Sequence, residues 1–264
     1  AASKRLATLM GDKVFENPKD EEIIERLIEF CGVSDGDYIL DFFSGSGTTA
    51  HATFLANIMQ QKSRHFILVQ IPEEISEKNA TSEKSKKVAK SAIALCDNLG
   101  VAHTICEIGK ERIRRSAKKI SEEHPDIVFD GGFRVLKCDS SNMKDVYYNP
   151  SETQQSLFDI YADNIKEDRT PEDLLFQVML DLGVLLSSKI EETTIAGKQV
   201  FNVADGFLIA CFDKDVTEET VKAVAEKKPY YAVFRDSSMA NDSVATNFDQ
   251  IFESISPDTV RKVL

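Results

Sequence analysis

The residues with most chemistry in them run from Asp41 through Phe42, Phe43, Ser44, Gly45, Ser46, Gly47 and Thr48 to Thr49. Gly45 and Gly47 permit a tight turn and let a ligand approach the backbone closely. The amides that open a helix after such a turn can meet a carboxylate or a phosphate. Asp41 brings a negative charge to the same place. The stretch is a candidate binding loop for a small ligand, and three ligand classes compete for it.

A phosphate-binding P-loop needs G-x-x-x-x-G-K-[ST]. No lysine follows Gly47, so nothing would reach the outer phosphates. Gly45 to Ala50 does fit G-x-G-x-x-A, a dinucleotide fingerprint. That fingerprint usually follows its strand directly, whereas Phe42, Phe43 and Ser44 separate Asp41 from Gly45. A carboxylate there would repel a pyrophosphate and favour positive charge, such as the ammonium and sulfonium of S-adenosylmethionine. A nicotinamide-dependent oxidoreductase stays open as the alternative enzyme class, and a ligand-free surface turn as the plainest reading.

The elements around the loop read as strand and helix. Tyr38–Phe43 reads as a short buried strand and Thr48–Met59 as the helix after the glycines. Upstream, Asp20–Cys31 places Ile23, Ile24, Leu27, Ile28 and Phe30 on one helical face, with acids in its first turn and Gly32 as its stop. Downstream come a second buried strand at His65–Ile71, amphipathic helices at Lys84–Leu99 and Ile105–Ile120, and a third strand at Phe133–Cys138. This alternation predicts a parallel sheet with crossover helices, whose ligands sit at the strand ends.

The second half reads as further α/β structure. Helices are expected at Pro171–Ser188, Thr217–Lys228 and Thr246–Ile255. Strands at Gln199–Val203 and Phe207–Phe212 flank the turn Ala204-Asp205-Gly206, and another falls at Tyr230–Phe234. The polar segment 139–170 between the halves is the expected boundary, giving domains 1–138 and 139–264.

Composition narrows the class. The chain has 264 residues, 42% of them hydrophobic and 29% charged, which suits a folded protein and excludes a disordered tail. No apolar run approaches the roughly 20 residues of a membrane span, and no secretory signal is visible. Five cysteines, widely spaced and without C-x-x-C, argue against a disulfide framework or a zinc site and suit the cytoplasm. The net charge of −12 is uneven. Residues 138–264 hold 12 Lys and Arg against 23 Asp and Glu, a net of −11. An acidic half is a poor nucleic-acid surface by itself and better suits a protein contact.

The motif Asp41-Phe-Phe-Ser-Gly-Ser-Gly-Thr-Thr-Ala-His51 resembles the cofactor motif of the DNA N6-adenine methyltransferases, in particular the modification subunit of type III restriction–modification systems. Phe15-Glu-Asn-Pro18-Lys19 resembles the family's F-x-x-P-K-P segment, with Asp20 in place of the second proline. Phe66 to Glu73 resembles its second strand. Ile108–Arg115, Gly132–Asn142, Val233–Ser238 and Phe248–Phe252 are also similar to that subunit, so the likeness spans roughly Phe15 to Phe252. It implies a partial Rossmann-like, S-adenosylmethionine-dependent methyltransferase sheet in an α/β protein, with a second, smaller acidic α/β domain.

Roles follow by position under this resemblance. Asp41 would meet the methionine amine, Gly45 and Gly47 would admit the methionine carboxylate and backbone, and Phe42 would pack on the cofactor. Thr48 would start the helix beneath it. Phe15, Pro18, Lys19 and Ser44 complete the binding set. Gln70 stands where methyltransferases usually place an acid on the ribose hydroxyls, so Glu73 would supply that carboxylate. Asp139 is a weaker candidate for the adenine edge.

The family's catalytic [DNS]-P-P-[YFW] loop, which accepts the target amino protons and stacks on the flipped base, has no counterpart: none of the seven prolines are adjacent. The resemblance therefore implies the C-terminal part of a modification subunit, with no catalytic residue of its own, inactive alone. Its implied partners are double-stranded DNA, a second modification subunit and the restriction (helicase–nuclease) subunit.

Other residues read more plainly. Lys110, Arg112, Arg114, Arg115, Lys118 and Lys119 read as a solvated helix face in preference to a phosphate stripe. His51 is expected to pack or cap. Cys31 and Cys211 are expected to be buried, and Asp236-Ser-Ser with Asn241-Asp242 to form a turn.

Overall fold

A computed structural model describes residues 1–144, 164–235, 239 and 242–264. It divides into two units, Ala1–Leu136 and Lys137–Leu264. The described residues of both units are mixed α/β.

The first unit is built around a helix of small residues. Its elements are α1 (Ala2–Met10), α2 (Glu21–Phe30), β1 (Tyr38–Asp41), α3 (Thr48–Gln60), β2 (His65–Leu68), α4 (Glu83–Leu99) and α5 (Ile105–Glu123). Asp20 caps α2 by accepting from the Glu22 amide, which satisfies one of the orphan donors of a helix start. Ala52 and Ala56 are fully buried on α3. Their lack of bulk lets Ile24 and Ile28 of α2 come close, with Val33 and Ile39 beside them. The opposite side of α3 sets Phe54 and Ile58 against Ile113 and Ile120 of α5. Leu6 and Met10 of α1 join Ala92 and Cys96 of α4 and Ile108 of α5.

β1 and β2 pair in parallel, with Tyr38 opposite His65 and Asp41 opposite Leu68. Among the described residues this sheet has two strands only. Both strands are shorter than the sequence suggests, and neither is fully buried. Phe66 and Leu68 turn toward α3, while Tyr38, Leu40, Ile67 and Val69 stay about half exposed. The cause is geometric: helices cover one face, and parallel strands are buried only where both faces are covered. The helical face of Asp20–Cys31 is split for the same reason. Ile24 and Ile28 pack, whereas Ile23, Leu27 and Phe30 are exposed, and buried Glu21 and Glu25 take the inward positions. Cys31, at the end of α2, is exposed rather than buried.

No strand forms at Phe133–Cys138. A strand needs a ladder partner, and this stretch has none among the described residues. Ile127, Phe129 and Phe133 instead fold over Phe54, Ile113 and Ile120. The sequence gives little warning of α1.

The second unit contains α6 (Pro171–Asp181), β3 (Ile190–Ile195), β4 (Lys198–Val203), β5 (Leu208–Cys211), α7 (Glu218–Glu226), β6 (Tyr231–Phe234), α8 (Asp242–Ile255) and β7 (Val260–Val263). Its sheet runs β3-β4-β5-β6-β7, antiparallel through β5 and parallel from β5 to β7. Alternating residues sort to two faces. Val200, Ile209, Cys211 and Phe234 pack with α7 and α8, while Phe201, Leu208, Ala210 and Val233 pack with α6. Burial pushes the Cys211 thiol up to about 11, so it stays protonated and acts as a small hydrophobe.

Thr170 and Asp173 form a capping box at α6, with Pro171 in the first turn. That helix ends at Asp181, well before Ser188, because Gly183 takes a left-handed backbone (φ +68°) and stops it. The expected hairpin forms around Ala204–Gly206. β3 and β7 are additions; β3 joins β4 through Ala196 and Gly197, both with positive φ, as a two-residue hairpin turn requires. Much of the polar boundary segment, and most of the 236–242 turn, lie outside the described residues. No helix among the described residues is long and apolar enough to cross a membrane.

Candidate cofactor site

The glycine loop leaves the end of β1 and enters α3. Asp41, the last residue of β1, spends both carboxylate oxygens on it. Oδ1 accepts from the Phe43 amide at 3.0 Å and Oδ2 from the Thr49 hydroxyl at 2.6 Å. An ionised carboxylate has about four acceptor positions, so each oxygen keeps a second one for a ligand. Phe42 and Phe43 point outward and are exposed.

The turn itself is held from three sides. The Ser44 amide donates to the Val69 carbonyl at 3.2 Å, and the Gly47 amide to the Ser44 carbonyl at 2.8 Å. The Gly45 amide donates to Gln70 Oε1 at 2.7 Å, and Gln70 Nε2 donates to the Ile71 carbonyl at 3.1 Å. Gln70 is thus engaged with the turn. Gly47 has φ +72° and caps α3. A Cβ added to it would lie 3.1 Å from the Gly109 carbonyl of α5, and a Cβ added to Gly109 would lie 3.2 Å from the Gly45 carbonyl. The two backbones touch because neither has a side chain there.

Phe15 lies on the third side, its ring tip 3.4 Å from where a Gly45 Cβ would be. Pro18 is half-buried nearby in sequence, and Lys19 is exposed. Glu73 is exposed, and its carbonyl accepts from the Ile105 amide at the start of α5. Asp139 lies in the second unit, where it pairs with Arg169 at 3.5 Å.

Two residues, Arg112 and Glu21, join the site although the sequence assigns neither a role there. Arg112 is 1% exposed, which corrects the solvated reading of its helix face at this position. Its Nη1 donates to Ser46 Oγ at 3.0 Å and Thr48 Oγ1 at 2.6 Å, and its Nη2 to Glu21 Oε2 at 3.3 Å. Burial lowers the Arg112 pKa to about 10 while Glu21 opposes the fall, so the guanidinium stays charged at neutral pH. Burial alone would raise the Glu21 carboxyl; its hydrogen bond from Arg5 and the charge of Arg112 hold it below the ordinary range. Elsewhere on that helix, Arg115 pairs with Glu111 and donates to the Met10 carbonyl, closing the end of α1. Gly109 and Arg112 both fall in the Ile108–Arg115 stretch that resembles the modification subunit, and their (i, i+3) spacing there is the trace of this arrangement in the sequence.

His51, on the first turn of α3, behaves as a packed residue. Burial first, then Arg112, depress its pKa to about 4, so it is neutral at pH 7.

Comparison with known proteins agrees with this geometry. Residues 2–82, which include the loop and Gln70, match the family model described as DNA methylase. The chain is 34% identical over 157 residues to the StyLTI Mod subunit, a type III restriction-modification enzyme of Salmonella typhimurium. It is 31% identical over 216 residues to the EcoP15I Mod subunit of Escherichia coli, and 31% over 229 residues to the EcoPI Mod subunit of Escherichia phage P1. These alignments cover 60%, 81% and 86% of this chain but only 20%, 28% and 31% of those relatives. The likenesses fall where the motif does: residues 2–82 match the DNA methylase model, and the chain as a whole is similar to Mod subunits of type III restriction–modification systems, of whose length it spans a third or less.

Proposed function

We propose that the first unit binds S-adenosylmethionine at the 41–48 loop, as part of a DNA adenine methyltransferase. The observation that carries this is the double use of Asp41: it fixes the loop through Phe43 and Thr49 and still presents acceptor positions beside the glycines. The pieces fit such a ligand. Gly47 lets the turn sit against the Gly109 carbonyl of α5, and the first turn of α3 offers amides without helical partners to a carboxylate. Phe15 closes the Gly45 side, and Phe42, Ser44, Thr48, Pro18 and Lys19 complete the binding set. Gln70 serves the turn, which leaves Glu73 to meet the ribose hydroxyls. When bound, the cofactor supplies the methyl group.

The target base would be handled by residues of the longer subunit. Our reading is that this chain corresponds to the cofactor-binding part of a Rossmann-like sheet, and that strands bearing the P-P loop complete it beside β1. The open, half-apolar face of β1 and β2 supports this. In the same reading the 139–264 region is an assembly module contacting a second modification subunit or the restriction subunit, on the strength of its acidity. A thermal-shift comparison tests the cofactor assignment: S-adenosylmethionine should raise the melting temperature, and NAD should leave it unchanged. A shift with NAD alone would favour the oxidoreductase reading.

A further inference from the structure

Two separate stretches of chain are assigned to one ligand, and beside the Phe15 ring at Gly45 it is the Arg112 guanidinium that links them by hydrogen bonds. Asp20 caps α2 and Glu21 is its first residue, so Glu21 directly continues the Phe15–Lys19 segment. Ser46 and Thr48 belong to the glycine turn. Nη2 of Arg112 holds the first and Nη1 holds the second. We propose that Arg112, paired with Glu21, is a positioning residue that sets the separation between the Phe15–Lys19 segment and the Ser46–Thr48 turn for the cofactor. This rests on the reading that both segments hold S-adenosylmethionine.

Three features favour positioning over simple stability. A buried ion pair is a weak stabiliser, because desolvating two charges offsets their attraction, and an apolar residue of similar volume fills such a space at lower cost. The pair is also incompletely satisfied: Arg112 Nε has no hydrogen-bond partner among the described residues. Finally, the contacts fall where geometry matters. Ser46 and Thr48 flank Gly47, the left-handed residue of the turn, and Gly109, one helical turn before Arg112, already presses on that glycine. A planar fork fixes two partners at a set spacing, which a lysine ammonium on a flexible stem does not.

The test is calorimetric titration of S-adenosylmethionine into the wild-type chain and the variants R112K, R112M and R112M/E21Q, at a temperature where each is folded. Hydrogen exchange of the 44–48 amides is followed in parallel. R112M should raise Kd about tenfold or more, the scale of hydrogen bonds to a charged group. R112K should recover only part of that loss. R112M/E21Q also removes the buried Glu21 charge, which R112M leaves to Arg5 alone, and should regain melting temperature while Kd stays as weak as in R112M. Recovery of both together, or wild-type affinity in R112M, would overturn the proposal. The cofactor reading fails separately: if the wild type does not bind but R112M still speeds exchange at Gly45 and Gly47, that reading falls and the hold on the turn stands. No binding and no change in exchange would overturn both.

Discussion

The side chain of Gln70, just past β2, accepts a 2.7 Å hydrogen bond from the amide of Gly45 in the turn after β1. Two neighbouring strand ends are thereby locked together at the point where open α/β sheets bind ligands. A position at the expected ribose end of the site also shapes the loop that would face the methionine. Replacing Gln70 with Leu leaves the Gly45 amide without its acceptor. The variant should lose about 1 kcal/mol of stability in urea melts, the usual net worth of one such bond, and should bind S-adenosylmethionine more weakly than wild type.

Gly47 should tolerate no side chain. Its φ of +72° already disfavours one, and the Gly109 carbonyl stands 3.1 Å from the new Cβ. Gly47→Ala should cost about 1–2 kcal/mol from the left-handed backbone alone, and more as α5 is pushed away. The same change at exposed Gly32, whose φ is +67° but whose surroundings are open, should cost only the backbone share. Equal losses at the two sites in denaturant melts would remove the close approach of α5 from the account.

His51 makes stability depend on pH. Its pKa falls from 6.5 to about 4 on folding, by burial first and then by Arg112, with Lys119 and Arg5 acting in the same sense and Glu21 opposing. A base with a lowered native pKa binds its proton more readily when unfolded. Stability is therefore lost as pH falls from about 6.5 toward 4, and His51 imposes no such loss above that window. His51→Gln should flatten this dependence by about 2–3 kcal/mol between pH 7.5 and 4.5. Parallel pH profiles of wild type and variant would show that the ring is not held neutral.

Methylation should need more than this chain. With no adjacent prolines, it has no P-P-Y-type loop to accept the target amino protons or stack on a flipped base. A radiolabelled-methyl assay on mixed-sequence duplex should show background incorporation by the 264-residue chain, with activity appearing when the rest of a Mod subunit is supplied. Incorporation by the chain alone would mean that other residues do this work.

Local signals explain what the sequence made legible. The helices α3, α4 and α5 stand close to their expected bounds; Gly47 opens α3, and Ser82 and left-handed Gly100 bound α4. The Ala204–Gly206 hairpin follows from turn chemistry. What failed depends on neighbours. Burial of Tyr38–Phe43 and His65–Ile71 needs a second covering layer, and Phe133–Cys138 needs a ladder partner; apolar runs reveal neither. Arg112 was hidden among six basic residues of one helix, because charge on a helix face reads the same whether water or Glu21 receives it. The glycine loop was legible since its residue types and order are themselves the constraint. The fixings around it, from Gln70, Gly109 and Arg112, come from residues 25 to 66 positions away, and nothing in the loop itself signals them.

The central claim is that the 41–48 loop binds S-adenosylmethionine through Asp41. Titration calorimetry of the wild-type chain and of Asp41→Ala, both held well below their melting temperatures, reads it directly. Saturable binding to wild type should weaken in the variant by about 1.5–3 kcal/mol, the range for hydrogen bonds to charged groups. Equal affinities in the two proteins would contradict the role of Asp41, and saturable binding of NAD in place of S-adenosylmethionine would contradict the site.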